Sequence, residues 1–395
     1  MAPIAGSAYT YSYIAFGEII AFIIGWDLIL EYALSAATVA VGWSGYFVNL
    51  LDNFGLHIPT ALTAAAGTTP GVTSYFNLPA FLVVLIITWI ISMGITQTKR
   101  VNDAMVIVKL LVIILFIACT VWFIKPENWH PFSPYGWYSH QNGTAVGIIP
   151  GASIVFFSFI GFDSVSSSAE ETINPSKTLP RGILLSLIIS TILYFCMTLT
   201  MTGVVRYPVF RKYINAPVLA VLAKTGQSWL SIIVSIGAIL GMTTVILVQL
   251  YGQSRISYSM SRDGLFPKFF GQVDEKHQTP FKGTWFFGII TSLGAGLINL
   301  NILSELVNIG TLTAFILVSA GILIMRYTQP DLHRGFKAPG VPFTPIISII
   351  FCLTLVAGLN WGNLGSILCL AGSGNGALLW LWSAAFAFKS KLQRS

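Results

Sequence analysis

Charge is the scarcest thing in this sequence. Only 9% of its 395 residues are Asp, Glu, Lys or Arg, while 55% are hydrophobic. A soluble globular chain carries roughly 25% charged residues. Soluble domains are therefore excluded, and a multi-spanning membrane protein is implied. No Lys/Arg run is long enough for a nucleic-acid surface. The net charge of +7 instead fits the basic loops that membrane proteins keep in the cytoplasm. The four cysteines, Cys119, Cys196, Cys352 and Cys369, lie in apolar runs without metal-like spacing, which predicts small buried hydrophobes. The five histidines are scattered. No G-x-S-x-G, phosphate-loop or dinucleotide signature stands in its proper context. Neither enzyme chemistry nor a metal or cofactor is implied, and a cleavable signal pattern is missing.

Apolar runs of spanning length, about 20 residues, are abundant. Ten are predicted, over 9–36 (or on to 50), 76–97, 101–124, 145–169, 180–205, 228–258, 282–301, 303–327, 343–361 and 364–388. The first is too long for an upright span, so a tilt, a bend or a turn near Gly42–Gly45 is expected. No soluble domain separates the runs, and residues 1–395 read as a single transmembrane domain. Fifteen Lys/Arg residues, from Lys99 to Arg394, fall on one side; five, Lys125, Arg206, Arg211, Lys212 and Lys224, fall on the other. That asymmetry puts both termini in the cytoplasm. Trp122, Trp129, Trp137, Trp361 and Trp382 lie near predicted helix ends, where interfacial anchors belong.

One run breaks the rules for a span. Pro150 to Glu171 is apolar enough to cross, yet Ser158 and Gly161 interrupt it and Asp163 follows the interruption. Loosened backbone and charge at bilayer depth survive only where protein or a water-filled cavity shields them. Broken helices of this kind hold substrates in secondary transporters. Freed carbonyls suit an ammonium, and the N-terminus of the following half-helix suits a carboxylate. An amino acid has both. The plainer role for Asp163 is an N-cap on 164–171. Lys109 lies inside the 101–124 run, where it can snorkel to the interface or exchange a proton during transport. Asp27 and Glu31 share a helix face, lining a cation or proton path, pairing with Lys109, or forming a structural pair. Met242 reads as a core residue, and Gly237 with Gly241 as close helix packing. Arg255, Arg262 and Asp263 mark a cytoplasmic helix end closed by a turn at Gly264.

Several segments in order resemble the amino acid permeases of the APC superfamily, and the cationic amino acid transporter branch in particular. They are Ala-Gly-Ser-Ala-Tyr-Thr-Tyr11, Gly-Trp-Asp-Leu-Ile-Leu-Glu-Tyr32, Phe-Phe-Ser-Phe-Ile-Gly-Phe-Asp163 with Ala-Glu-Glu-Thr-Ile-Asn-Pro-Ser-Lys-Thr-Leu-Pro-Arg181, and Met-Ser-Arg-Asp-Gly-Leu-Phe-Pro267. The resemblance implies an all-α membrane protein of the LeuT-type inverted-repeat fold. The ten runs match the family's third to twelfth helices: 9–124 the third to fifth, 145–327 the second repeat, 343–388 the last two. The first two helices, and with them half of the substrate site, are expected to be missing. By the same resemblance, Phe159, Ile160, Gly161, Phe162 and Asp163 bind substrate, and Met242 narrows the pocket toward small side chains. Lys109, standing where sodium-coupled relatives hold an ion, and Glu31 couple transport to protons. The implied function is proton-coupled amino acid transport across the plasma membrane by alternating access around 150–171, with the amino acid, protons and the bilayer as partners. The rivals are an amino acid exchanger and a transport-inactive remnant or regulatory membrane subunit. The oligomeric state is not implied.

Overall fold

The computed structural model describes residues 17–68, 73–94, 99–141, 144–162, 174–274, 279–328 and 339–359. Ten α-helices lie within them. They are α1 (Glu18–Asn53), α2 (Leu78–Ser92), α3 (Lys99–Thr120), α4 (Ile148–Val155), α5 (Pro175–Val204), α6 (Val218–Thr225), α7 (Ser228–Arg262), α8 (Phe281–Leu297), α9 (Leu300–Thr328) and α10 (Phe343–Gly358). Nine of the ten predicted spans overlap one of these helices; the tenth, 364–388, lies outside the described residues. Five helices are long and apolar enough to cross a membrane, and α2, α4 and α10 are shorter apolar ones.

α1 is the axis. In its most apolar window 61% of residues are buried, against none in that of α5. It packs on α7, α9, α8 and α2. Three apolar clusters follow one another along it, around Leu28 and Tyr32, around Ala36 to Val41, and around Tyr46. The exterior is apolar as well. On α5, Leu184, Leu185, Ile188, Ile189, Ile192 and Phe195 are all exposed, a surface that water would drive to aggregate and that hydrocarbon accepts.

Contacts between helix ends set α2 and α8 antiparallel and α3 and α5 parallel. At one end Asn77 N–H donates to the Gly296 carbonyl (2.8 Å) and Lys125 N–H to the Gly203 carbonyl (2.9 Å). At the other, Thr279 Oγ1 donates to the Ser92 carbonyl (2.8 Å). The sequence explains the ends it marks. Asn77 caps α2 by accepting from Ala80 N–H at 3.2 Å, and Pro79 sits where a helical N–H is not needed. α7 ends at Arg262 with Gly264 at φ +79°, as expected.

Four points sharpen the sequence reading. α1 runs unbroken for 36 residues; no turn forms at Gly42–Gly45. Those glycines serve close approach instead: a Cβ on Gly45 would lie 2.8 Å from Asn215 Cβ, and one on Gly42 3.6 Å from Met242 Sδ. The boundary near 301–303 falls earlier, because Asn299 Oδ1 accepts from Ile302 N–H at 3.0 Å and starts α9 at Leu300. The polar loops hold structure: α6, and an antiparallel pair Ser139–Gln141 (β1) with Thr144–Val146 (β2). Of the cysteines, only Cys352 is fully buried among the described three; Cys119 and Cys196 are half-buried. Trp122 and Trp137, 86% and 73% exposed, stand at the surface as anchors would.

Candidate functional site

The interruption in the 145–169 run is real. α4 stays α-helical to Val155, tightens into a 3₁₀ turn over Phe156–Phe159, becomes extended at Ile160 (φ −66°, ψ 142°) and turns at Gly161 with φ +107°. Only glycine enters that last region without strain. The loosened backbone finds new partners. Tyr194 Oη on α5 donates to the Ser158 carbonyl at 2.7 Å. Asn308 Nδ2 on α9 donates to the Ser153 carbonyl at 2.9 Å. Phe159 meets the Tyr194 ring edge-on at 5.3 Å, and Phe162 lies 5.3 Å from the Phe315 ring of α9. Phe159, Ile160, Gly161 and Phe162 are thus gathered between α5, α7 and α9, each half-buried. Asp163 and the expected half-helix 164–171 lie outside the described residues.

α7 forms one wall. Gly161 faces Gln249: a Cβ on Gly161 would come to 4.0 Å from Gln249 Nε2. Two turns toward the start of α7, Gly241 packs against the stem of Lys109, and Met242 lies against Gly42 of α1. Seven residues of helix span about 10 Å. The structure therefore brings Lys109 and Met242 to one level of α7 and the Gly161 turn to another. The Gly237/Gly241 seam holds α3 as expected, since a Cβ on Gly237 would reach 2.7 Å from Val112 Cγ2.

The carboxylates sit on a polar stripe of α1 formed by Asp27, Glu31, Ser35 and Thr38. Glu31 is 2% exposed. The Oδ2 atom of Asp27 is buried with no hydrogen-bond partner among the described residues, and its other oxygen presses on Gly310 of α9. No ion pair joins either carboxylate to Lys109 among the described residues, so the pairing considered from sequence does not form here. A carboxylate in apolar surroundings is expensive.

Gln249, Tyr194 and Asn308 were not singled out from sequence. Gln249 and Gln253 stand four apart on one face of a spanning helix, as do Ser304 and Asn308. That polar spacing inside an apolar run was the available signal. Tyr194 offers none, because its role depends on where α5 passes the break.

Comparison with known proteins agrees with this architecture. The family model described as amino acid permease matches residues 1–386. A branched-chain amino acid permease of Bacillus subtilis (strain 168) is 51% identical over 359 residues, covering 91% of this chain and 75% of that protein. A methylthioribose transporter of the same organism is 44% identical over 362 residues, 91% of this chain and 76% of its own length. The vacuolar cationic amino acid transporter 4 of Arabidopsis thaliana is 34% identical over 83% of this chain and 54% of its own. These relatives are permeases and transporters, not enzymes. With a match along nearly all of its length and long apolar helices among its described residues, this chain belongs to the amino acid permease family and is a multi-pass α-helical membrane protein.

Proposed function

We propose that this protein moves small apolar amino acids across the plasma membrane by proton-coupled secondary transport. The observation that carries the reading is the opened backbone at Phe156–Gly161 in a member of the amino acid permease family. The 51% identical relative carries branched-chain amino acids by name, which favours leucine, isoleucine or valine over cationic side chains. Substrate sits against Phe159–Asp163. Alternating access proceeds around 150–171, with 145–327 as one repeat, 9–124 as part of the other, and both termini in the cytoplasm. Lys109 and Glu31 carry the proton coupling. Lys109 is half-buried with its stem packed on Gly241, and Glu31 on the axial helix is sealed from water.

Uptake of labelled leucine into proteoliposomes, with and without an inward pH gradient, tests this. Uptake that rises with the gradient supports symport. Gradient-independent uptake requiring internal amino acid identifies an exchanger, and no uptake of any substrate leaves a transport-inactive subunit. The 44% identical relative gives methylthioribose a place as competitor; if it displaces leucine poorly, the amino acid reading stands. Lys109→Ala should abolish the response to the gradient in a folded protein, and an unchanged response would remove Lys109 from the coupling. Glu31→Gln should lower uptake at least about tenfold. Wild-type rates in that variant would leave the carboxylate a structural part.

A further inference from the structure

We propose that two adjoining clefts at the end of α7, walled by Arg255, Tyr258, Arg262 and Lys268, hold the phosphate of an anionic phospholipid. Arg255, Tyr258 and Arg262 follow one another at spacings of three and four, so they share one face of α7. Tyr258 belongs to both clefts. The first, about 180 Å³, is also lined by Ser261, Arg262, Lys268 and Gly271. The second, about 230 Å³, opens between α7 and the ends of α2 and α8, with Ile91, Tyr251, Arg255 and Thr284 in its walls. These walls carry three cations and no carboxylate among the described residues. Asp263 lies outside them, 3.7 Å from Arg262 Nε, and leaves the Arg262 side chain 64% exposed.

The donors are in place and unused. Arg255 Nη2 donates to Tyr251 Oη at 2.6 Å, and its guanidinium carbon lies 4.9 Å from the centre of that ring. That contact orients the guanidinium, keeps its other N–H groups available and leaves the Tyr251 hydroxyl hydrogen free to donate. Tyr258 Oη and Lys268 Nζ make no hydrogen bond or ion pair among the described residues. Cations and hydroxyls that converge without an anion of their own match phosphate oxygens. Position selects a lipid over a soluble phosphate. The clefts lie where spanning helices end, at headgroup level. Below them the outer faces of α2 and α8 are apolar, with Trp89, Phe286, Ile289, Ile290 and Leu293 exposed, and acyl chains can run along them. In the orientation proposed above this end of α7 meets the cytoplasmic leaflet, where anionic lipid gathers and basic pockets between helices capture headgroups. The second cleft touches three helices, so its occupant ties α2, α7 and α8 together.

Native mass spectrometry of the purified protein, titrated with phosphatidylglycerol or zwitterionic phosphatidylcholine, tests the site. Phosphatidylglycerol should be retained in preference, and should raise the melting midpoint in detergent by several degrees. Combining Arg255→Gln, Arg262→Gln and Lys268→Gln should weaken its retention about a hundredfold, three cations at roughly fivefold each. Combining Lys125→Gln, Arg206→Gln and Lys224→Gln removes as much charge at the opposite helix ends and should leave retention unchanged. Wild-type retention in the first variant, or an equal loss in the second, overturns the proposal. If the first variant does not fold, Tyr258→Phe decides: it keeps the ring, and loss of its hydrogen bond to a charged group should weaken retention about tenfold. Inorganic phosphate at the same concentration should not protect against melting. Equal protection by it would make the clefts a soluble-anion site and overturn the lipid assignment. None of these readouts depends on transport.

Discussion

Replacing Gly161 by valine should abolish uptake and leave a folded protein. The reason is conformational, not steric. A Cβ at this position meets nothing nearer than Gln249 Nε2 at 4.0 Å, so there is room for a side chain. The backbone is what cannot follow. At φ +107° a β-branched residue is a genuine outlier, and holding it there costs on the order of 1–3 kcal/mol. The segment escapes that cost by relaxing toward a regular helix, which α4 is already built to continue. Relaxation withdraws the freed carbonyls, turns Phe162 away from Phe315, and closes the space beside Gln249. Leucine uptake should fall below detection while the melting midpoint in detergent stays within a few degrees of wild type. Gly161→Ala should act in the same direction but more weakly. Uptake near the wild-type rate in the valine variant would show that the turn is not part of the site.

Much of this fold was legible because membrane solvent makes strong demands on sequence. A span must be apolar and about 20 residues long, and nine of the predicted runs coincide with described helices. The interruption at Ser158–Gly161 was visible for the same reason: a glycine and a serine inside a span contradict the rule that makes the rest readable. What could not be read was which partner each feature meets. Gly42 and Gly45 look like a hinge in a linear string, and only the position of α7 and of Asn215 shows that they are points of close approach. Lys109 and Met242 share a level because α3 crosses α7 at Gly241, a fact of tertiary packing with no local signature. Gln249 stayed hidden because amides in a long apolar helix, Gln253 beside it among them, have many harmless roles. What sets it apart, a sealed Oε1 without a hydrogen-bond partner among the described residues, exists only in three dimensions.

Gly237→Leu should damage the fold where Gly241→Ala does not, although the two glycines lie four residues apart on the same face of α7. At Gly237 an added Cβ would meet Val112 through Cγ2 at 2.7 Å, Cγ1 at 2.8 Å and Cβ at 3.0 Å. The whole branched side chain stands in the way, and a valine in a helix has one strongly preferred rotamer, so α3 must move as a body. Overpacking of this kind costs about 1–3 kcal/mol, and leucine adds more than the first carbon. At Gly241 the neighbour is the Lys109 stem, with Cβ at 3.4 Å and Cδ at 3.5 Å. That is ordinary contact, and a flexible chain can give way. Gly237→Leu should therefore lower the melting midpoint by several degrees and reduce the yield of folded protein. Gly241→Ala should fold normally. The seam also separates structure from coupling: Gly241→Leu should retain α3 on α7 through Gly237 yet displace the Lys109 stem, so leucine uptake should persist while its response to the pH gradient weakens. If Gly237→Leu and Gly241→Ala melt together, α3 does not lie as close to α7 as the glycines allow, and the place of Lys109 beside Gly241 falls with it.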